Sequence, residues 1–537
     1  MRRIYVKAWA AIIGATVVLG WFFPPTLFLW VLLGPLFLLG LYDYFHPRKA
    51  ILRNFPIAGH FRYIFEMIRP EIRQYFIESD RDGVPFNRER RSLVYQRAKL
   101  QLDTIPFGTK LDTYQEGYEW VNHSLTPHHL DAESLVTTIG GPDCKKPYKA
   151  SILNISAMSY GSLAANAVTA LNKGAAKGGF AHNTGEGGIS SFHRQGGDLI
   201  WQIGTGYFGC RSKDGGFDRG LFKEKASLPE VKMIEVKLSQ GAKPGHGGIL
   251  PAGKVTPEIA AIRGVPMGQD VLSPPAHKTF DTPIGLMEWI QELREASGGK
   301  PIGFKLCVGK RREFISLCKA MIETGISPDF IAVDGGEGGT GAAPLEFSNH
   351  IGSPLKDSLI FVYNCLVGFN LKPKIKIMAG GKITSGFEIV SYLALGADLC
   401  TAARSFMLAL GCIQALKCNS NECPVGVATQ NTELTGGLVV KDKIDRVANY
   451  HKETIISAAE IMGAMGLTSH EDLRPWHLVR RLDHQTIHHY GELMEFLKPG
   501  DLLKDPLPAS FARAISAASP KHFQSNLAQE IAPAEGM

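Results

Sequence analysis

Two long apolar stretches open the chain, Ile4 to Phe23 broken only by Lys7, and Thr26 to Phe45 apolar until Asp43, with Pro24-Pro25 between them. Each is about 20 residues, enough to cross a hydrocarbon core as a helix. The pattern predicts a transmembrane hairpin over residues 1–46. Arg2, Arg3 and Lys7 flank the first stretch and Arg48, Lys49 and Arg53 follow the second. That bias places both ends in the cytoplasm, with the Pro-Pro turn outside. A cleaved signal peptide fits less well: the A-x-A-like exit site is missing and a second span follows at once.

From residue 47 to 142 the pattern is mixed. Tyr63 to Ile68 and Glu71 to Glu78 read as helices interrupted by Pro70, and RDGVPFNRERR reads as a loop. The aromatic- and His-rich stretch to His129 has no clear period. This region is expected to be a connector packed against the main domain.

Beyond it the chain becomes regular. Short apolar runs near 150–157, 179–183, 199–204, 233–238, 302–308, 329–334, 374–379 and 397–401 predict eight strands. Helical patterns lie between most of them, including 162–177, 311–323 and 385–395. Strands this rich in Ile and Val, alternating with helices, predict an α/β fold of the (β/α)8 TIM barrel type over residues 143–430. A doubly wound sheet should carry Gly-x-Gly-x-x-Gly after its first strand, where this chain has AMSYGSLA. Residues 431–537 are expected to form a C-terminal helical extension.

In such a barrel the functional side chains gather at the strand carboxyl ends. Those ends carry Met158-Ser159-Tyr160-Gly161-Ser162, Asn183 to Gly188 with Glu186, Lys237 leading into GAKPGHGG, Lys305, and the DGGEGGTGAAP loop from Asp334. Lys305 lies within a strand, so its ammonium must meet an anion inside the barrel or at its mouth. Gly380-Gly381 and Ala402-Ala403 end the last two strands, where backbone N–H groups cradle phosphate. Cys412, Cys418 and Cys423 follow in the run 412–423 at C-x5-C-x4-C spacing. Such a trio is either a thiolate set for a metal or buried apolar filler, and spacing alone leaves both open. Three thiolates are one short of the common clusters and would suit a cluster lacking one iron corner.

Composition narrows the class. With 45% apolar and 20% charged residues, a sizeable globular core is expected. The net charge of +7 is spread along the chain. Its densest run, Arg88 to Arg91, reads as solvated surface with no nucleic-acid motif beside it. Nine cysteines without framework spacing point to a reducing compartment.

The stretches AMSYGSLAANAVTALNKGAAKGGFAHNTGEGG, VKLSQGAKPGHGG, LSPPAHKTF, VDGGEGGTGAAP, MAGGKITSG and GCIQALKCNSNECPVGVATQ occur in this order. Together they resemble the synthase domain of glutamate synthase, over roughly Asp143 to Gln430. The resemblance implies an FMN-binding barrel in which Cys412, Cys418 and Cys423 hold a 3Fe-4S cluster. Lys305 would contact the flavin ring, and Gly380, Gly381, Ala402 and Ala403 would line its phosphate. Met158 and Ser159, at the first strand's end, are also expected in the cofactor site. Glu186 would lie where ammonia meets the flavin, and Lys237, Lys243 and Arg263 where the 2-oxoglutarate carboxylates sit.

The chain also departs from that family. Arg2 and the hairpin stand where members with a glutaminase begin with a cysteine. Ile249 replaces a common amide side chain, and His246 replaces a glutamate, which removes a hydrogen-bond partner for the keto acid. With no nicotinamide fingerprint, electrons are expected from an external donor, either ferredoxin or an NAD(P)H-oxidising subunit. Ammonia is expected from a separate glutaminase or from free ammonium.

The expected reaction is reductive amination of 2-oxoglutarate to L-glutamate at the inner (cytoplasmic) membrane, with the catalytic domain facing the cytoplasm. Synthesis of an N-substituted product such as N-methylglutamate, or action on a related keto acid, stays open. A 2-hydroxy-acid oxidase would need a histidine base after strand six, where Asp334-Gly335-Gly336 stands. A membrane electron-transfer subunit would give Glu186, Lys243 and Arg263 no reason to converge.

Overall fold

The computed structural model describes residues 2–46 and 48–527, so residues 528–537 of the expected C-terminal extension lie outside the described residues. The chain divides into two compact units, Met1–Arg88 and Glu89–Met537.

In the first unit a helix Arg2–Phe22 is followed by a 3-10 segment Pro24–Leu29 and a helix Trp30–Phe45. The second α-helix begins later than the apolar pattern implies. Pro24 and Pro25 lack N–H donors, and a tighter turn takes up the first residues. The two helices pack through Trp9 and Phe37, with ring centroids 5.2 Å apart. Trp30 Nε1 donates to Thr16 Oγ1 at 3.2 Å across the same seam. By length and composition both are apolar enough to cross a membrane, and little of either is buried.

Pro70 does not interrupt the next helix, contrary to expectation. Gly59–Ile72 runs through it and continues as a π-helical turn Arg73–Ile77. A wider turn of this kind adapts the hydrogen-bond ladder where a regular one is broken.

The second unit is built on eight parallel strands closed into a barrel in sequence order. They are β1 (Leu153–Ile155), β2 (His182–Asn183), β3 (Leu199–Ile203), β4 (Val231–Lys237), β5 (Ile302–Leu306), β6 (Phe330–Asp334), β7 (Lys376–Gly380) and β8 (Leu399–Ala402). Each falls within or overlaps an apolar run seen in the sequence, because strands covered on both faces must be apolar almost throughout. Inside, Ile200, Met233, Phe330, Ala332, Met378 and Leu399 form a closed apolar layer. Ile139 and Ala150, from the antiparallel pair Val136–Ile139 and Tyr148–Ser151, complete that layer. Two residues further along a strand the same face recurs. Gln202, Glu235 and Lys305 therefore follow the apolar layer toward the carboxyl-end mouth.

The helix Arg88–Ala98 corrects the loop expected over the RERR run, and the run is solvated only in part: Arg88 is exposed, Glu89 and Arg90 are half-buried and Arg91 is buried. Arg91, Val94, Arg97 and Ala98 are buried at helical spacing, and Arg90 forms an ion pair with Glu388. Arg97 Nε reaches Asp103 Oδ2 at 3.2 Å. Beyond Gln430 the longest helix, Val440–Ala464, packs on Ala165–Gly178. Strands Leu478–Arg481 and Ile487–His489 form a small sheet with Glu119–Val121.

Candidate active site

Lys237, the last residue of β4, and Lys305, the last but one of β5, stand in direct register, so two ammonium groups enter the barrel mouth side by side. Each has its own carboxylate. Lys237 Nζ donates to Glu186 Oε1 at 2.7 Å, and Lys305 Nζ lies 3.4 Å from Asp334 Oδ2. Below them Glu235 Oε1 accepts from Asn183 Nδ2 at 2.9 Å and Gln202 Nε2 at 2.6 Å. Burial works against the Lys305 charge, but Asp334, Glu235 and Glu186 outweigh it and raise its pKa.

Glu186 fits because two of its neighbours lack side chains. A Cβ on Gly204 would come within 2.4 Å of Oε2, and one on Gly248 within 2.5 Å of Oε1. Burial alone would raise the Glu186 pKa, yet Lys237, Arg263 and Lys243 together bring it below the ordinary value. Lys243 Nζ donates to the Ala342 carbonyl at 2.8 Å. Burial, then repulsion from Lys237, lowers its pKa to about 8.

Arg263 closes the helix Pro257–Arg263 and is buried. Its guanidinium donates to the Tyr160 carbonyl at 3.1 Å and lies over the Phe208 ring at 5.1 Å, while Nε has no hydrogen-bond partner among the described residues. His277, whose Nε2 is 2.9 Å from the Lys237 carbonyl oxygen, is held neutral by burial, with its pKa at about 4.

The second cluster lies at the ends of β7 and β8. Gly380 ends β7, Gly381 follows, and Ala402-Ala403 lead into the helix Arg404–Leu410. Arg404 donates to the Glu337 carbonyl at 2.8 Å, and Arg404 and Arg90 both depress the Lys382 pKa after burial. Three cations beside two backbone turns suit a phosphate. None of the three was evident as a site residue from sequence. Met158 and Ser159 lie against the Gly185 turn, where a Cβ would sit 2.5 Å from Ser159 N.

Cys412, Cys418 and Cys423 occupy a loop after that helix. Gln414, Leu416 and Asn421 there hold positive φ of 59°, 55° and 64°, a strain that the surrounding contacts must sustain. Lys254 is buried beneath the loop, its Nζ donating to the carbonyls of Cys418 at 2.8 Å, Ala428 at 2.7 Å and Ser162 at 3.3 Å. Tyr95 OH donates to the Cys412 carbonyl at 2.6 Å. Burial raises the Cys412 pKa to about 11, Cys418 and Cys423 adding to it and Arg91 opposing. The three thiols therefore lie within electrostatic reach of one another. Among the described residues no group of three or more His, Cys, Asp or Glu side chains closes on a point as a single metal ion requires.

A (β/α)8 barrel with paired ammonium–carboxylate groups at its mouth, cation-flanked turns at the ends of β7 and β8 and a three-cysteine loop defines the class. Residues 109–468 match the family described as the conserved region in glutamate synthase. The glutamate synthase large subunit-like protein YerD of Bacillus subtilis (strain 168) is 36% identical over 532 residues, covering 91% of this chain and 98% of that one. An archaeal glutamate synthase (NADPH) of Methanocaldococcus jannaschii is 34% identical over 359 residues, 66% of each chain. The B. subtilis glutamate synthase (NADPH) large chain is 31% identical over 326 residues, which are 59% of this chain and 20% of that one. The chain belongs to the glutamate synthase family and is an oxidoreductase of that type. Among solved structures, a flavocytochrome b2 mutant with pyruvate bound aligns over 81% of this chain and 92% of its own, at a TM-score of 0.41 and 15% identity.

Proposed function

We propose that the chain reductively aminates 2-oxoglutarate to L-glutamate, or a closely related dicarboxylic keto acid to the corresponding amino acid. The observation that carries this reading is the enclosure of one carboxylate, Glu186, by three cations, Lys237, Lys243 and Arg263. The surplus of positive charge would draw a dianion into the mouth. Arginine would take one carboxylate through its planar fork, and the lysines would act on the other as point charges.

Glu186, kept ionised, would accept hydrogen bonds from the incoming ammonia and hold its lone pair toward the keto carbon. Condensation expels water, and a hydride to carbon and a proton to nitrogen, two electrons and two protons in all, then convert the C=N bond to the amine. When bound, FMN would supply the hydride and a 3Fe-4S cluster would relay single electrons to it. The residues fit both groups. Gly380, Gly381, Ala402 and Ala403, with Arg404, would hold the flavin phosphate. Lys305 would lie against the ring, with Met158 and Ser159 near it. Cys412, Cys418 and Cys423 would bind a cluster, which is wider than a single ion and needs no ligands set around one point. Lys254 and Arg91 supply compensating positive charge there.

Ammonia would come from free ammonium or a separate glutaminase, and electrons from ferredoxin or an NAD(P)H-oxidising subunit. The two apolar helices would tether the chain to the inner membrane with the catalytic domain in the cytoplasm, the side favoured by the flanking cations. One observation favours a second reading. Ile249, in the short strand pairing with Val271–Leu272, is apolar where the family commonly carries an amide, which would alter the grip on the substrate. The second reading is a different substrate pair, such as 2-oxoglutarate with an N-substituted amine. The readings are tested by supplying 2-oxoglutarate with isotopically labelled ammonium, and separately with labelled methylamine, to the reduced protein. Labelled glutamate is expected, and its absence refutes the first reading.

A further inference from the structure

The helix Gly59–Ile72 and its continuation to Ile77 leave a whole apolar face uncovered. Phe61, Ile64, Phe65, Ile68, Ile72 and Phe76 recur at helical spacing, and five of these six are exposed, Phe65 at 61% and Phe76 at 84%. Arg69, Arg62, Arg73 and Glu66 form a charged stripe along one flank of that face. Such a face costs free energy in water and signals an interaction surface.

Three features on the same unit say what covers it. The helix begins shortly after the second apolar helix ends at Phe45. The elbow between them is fixed by a fully buried carboxylate: Asp43 Oδ2 accepts from the Ile57 N–H at 2.9 Å and lies 2.9 Å from His60 Nε2. Lys49 Nζ packs over the Tyr63 ring at 4.6 Å, a second tie across the elbow. Between residues 48 and 77 there are six Lys and Arg against two Glu. A helix with an aromatic and aliphatic face flanked by a stripe of arginines matches an anionic lipid interface, where the cations reach the headgroups beside the inserted face.

We infer that residues 59–77 lie in the headgroup–acyl boundary of the bilayer, Phe61, Phe65 and Phe76 inserted, the Asp43–His60 contact setting the helix against the hairpin. This rests on the hairpin's being membrane-spanning, and the test separates the two claims. Full-length protein is reconstituted into phosphatidylglycerol-containing vesicles with a photo-cross-linking amino acid at Phe65, Phe76, Glu66 or Val17. Lipid adducts are expected at Phe65 and Phe76, about fivefold or more above Glu66, and also at Val17 within the hairpin. Asp43→Asn should reduce the Phe65 adduct and leave the Val17 adduct unchanged. Lipid adducts at Val17 with only protein adducts at Phe65 and Phe76 would overturn the interfacial helix while the hairpin stands. The absence of lipid adducts at all four positions would overturn both.

Discussion

Lys237 and Glu186 meet at 2.7 Å, joining the end of β4 to the loop after β2 in a mouth where both side chains are largely buried. Removing one partner of a buried pair leaves the other uncompensated. Glu186→Gln should therefore cost about 3–5 kcal/mol of stability, read as a lower Tm at neutral pH. The Glu186 pKa is depressed in the folded state. Its stabilisation is then present above the ordinary glutamate pKa of about 4.3 and lost as pH falls through the folded value. The Gln variant should lack that part of the acid limb.

Lys243 gives a second pH signature. With its pKa lowered to about 8, it is charged below that pH and increasingly neutral above it. A neutral amine no longer attracts a carboxylate, so kcat/KM for 2-oxoglutarate should fall as pH rises through about 8. Lys243→Arg keeps the charge and should move the falling limb to higher pH. An unmoved limb would assign the titration to another group.

Arg263 is held by the Tyr160 carbonyl on one side and the Phe208 ring on the other. Arg263→Lys keeps the charge but loses the fork, costing roughly 1–3 kcal/mol in 2-oxoglutarate binding. The loss should shrink sharply with pyruvate, which lacks a second carboxylate. Equal losses with both keto acids would make Arg263 structural.

The phosphate corner and the cysteine loop should fail separately. Arg404→Met should lower flavin content, weakening retention by about tenfold or more, with Arg404→Lys recovering part of it. Lys254→Met removes the donor shared by three carbonyls and should lower iron content while flavin is retained. Cys418→Ser should do the same, and flavin lost in step with iron would contradict separate sites.

How much of this was legible in sequence follows from the range of each interaction. The eight strands were legible because strands buried on both faces read as apolar runs bounded by Gly-rich turns. Lys305 was recognisable as a charge forced inside a strand, but its partner Asp334 depends on the register of β5 with β6. Lys254 was missed because its three acceptors lie 92, 164 and 174 residues away along the chain. The helix Arg88–Ala98 was missed because arginines make up half of its buried side, which disguises the apolar period. Pro70 misled because the helix runs straight through it, the missing N–H costing one bond of the ladder without ending it.

The most direct test is anaerobic reoxidation of the reduced flavin in the full-length protein, followed by stopped-flow absorbance. The trials contain 2-oxoglutarate alone, ammonium alone, both together, and 2-oxoglutarate with methylamine. Rapid reoxidation is expected only when 2-oxoglutarate and ammonium are both present, with one glutamate formed per flavin oxidised. A faster reaction with methylamine, or no reoxidation by 2-oxoglutarate with ammonium, would contradict the proposed amination.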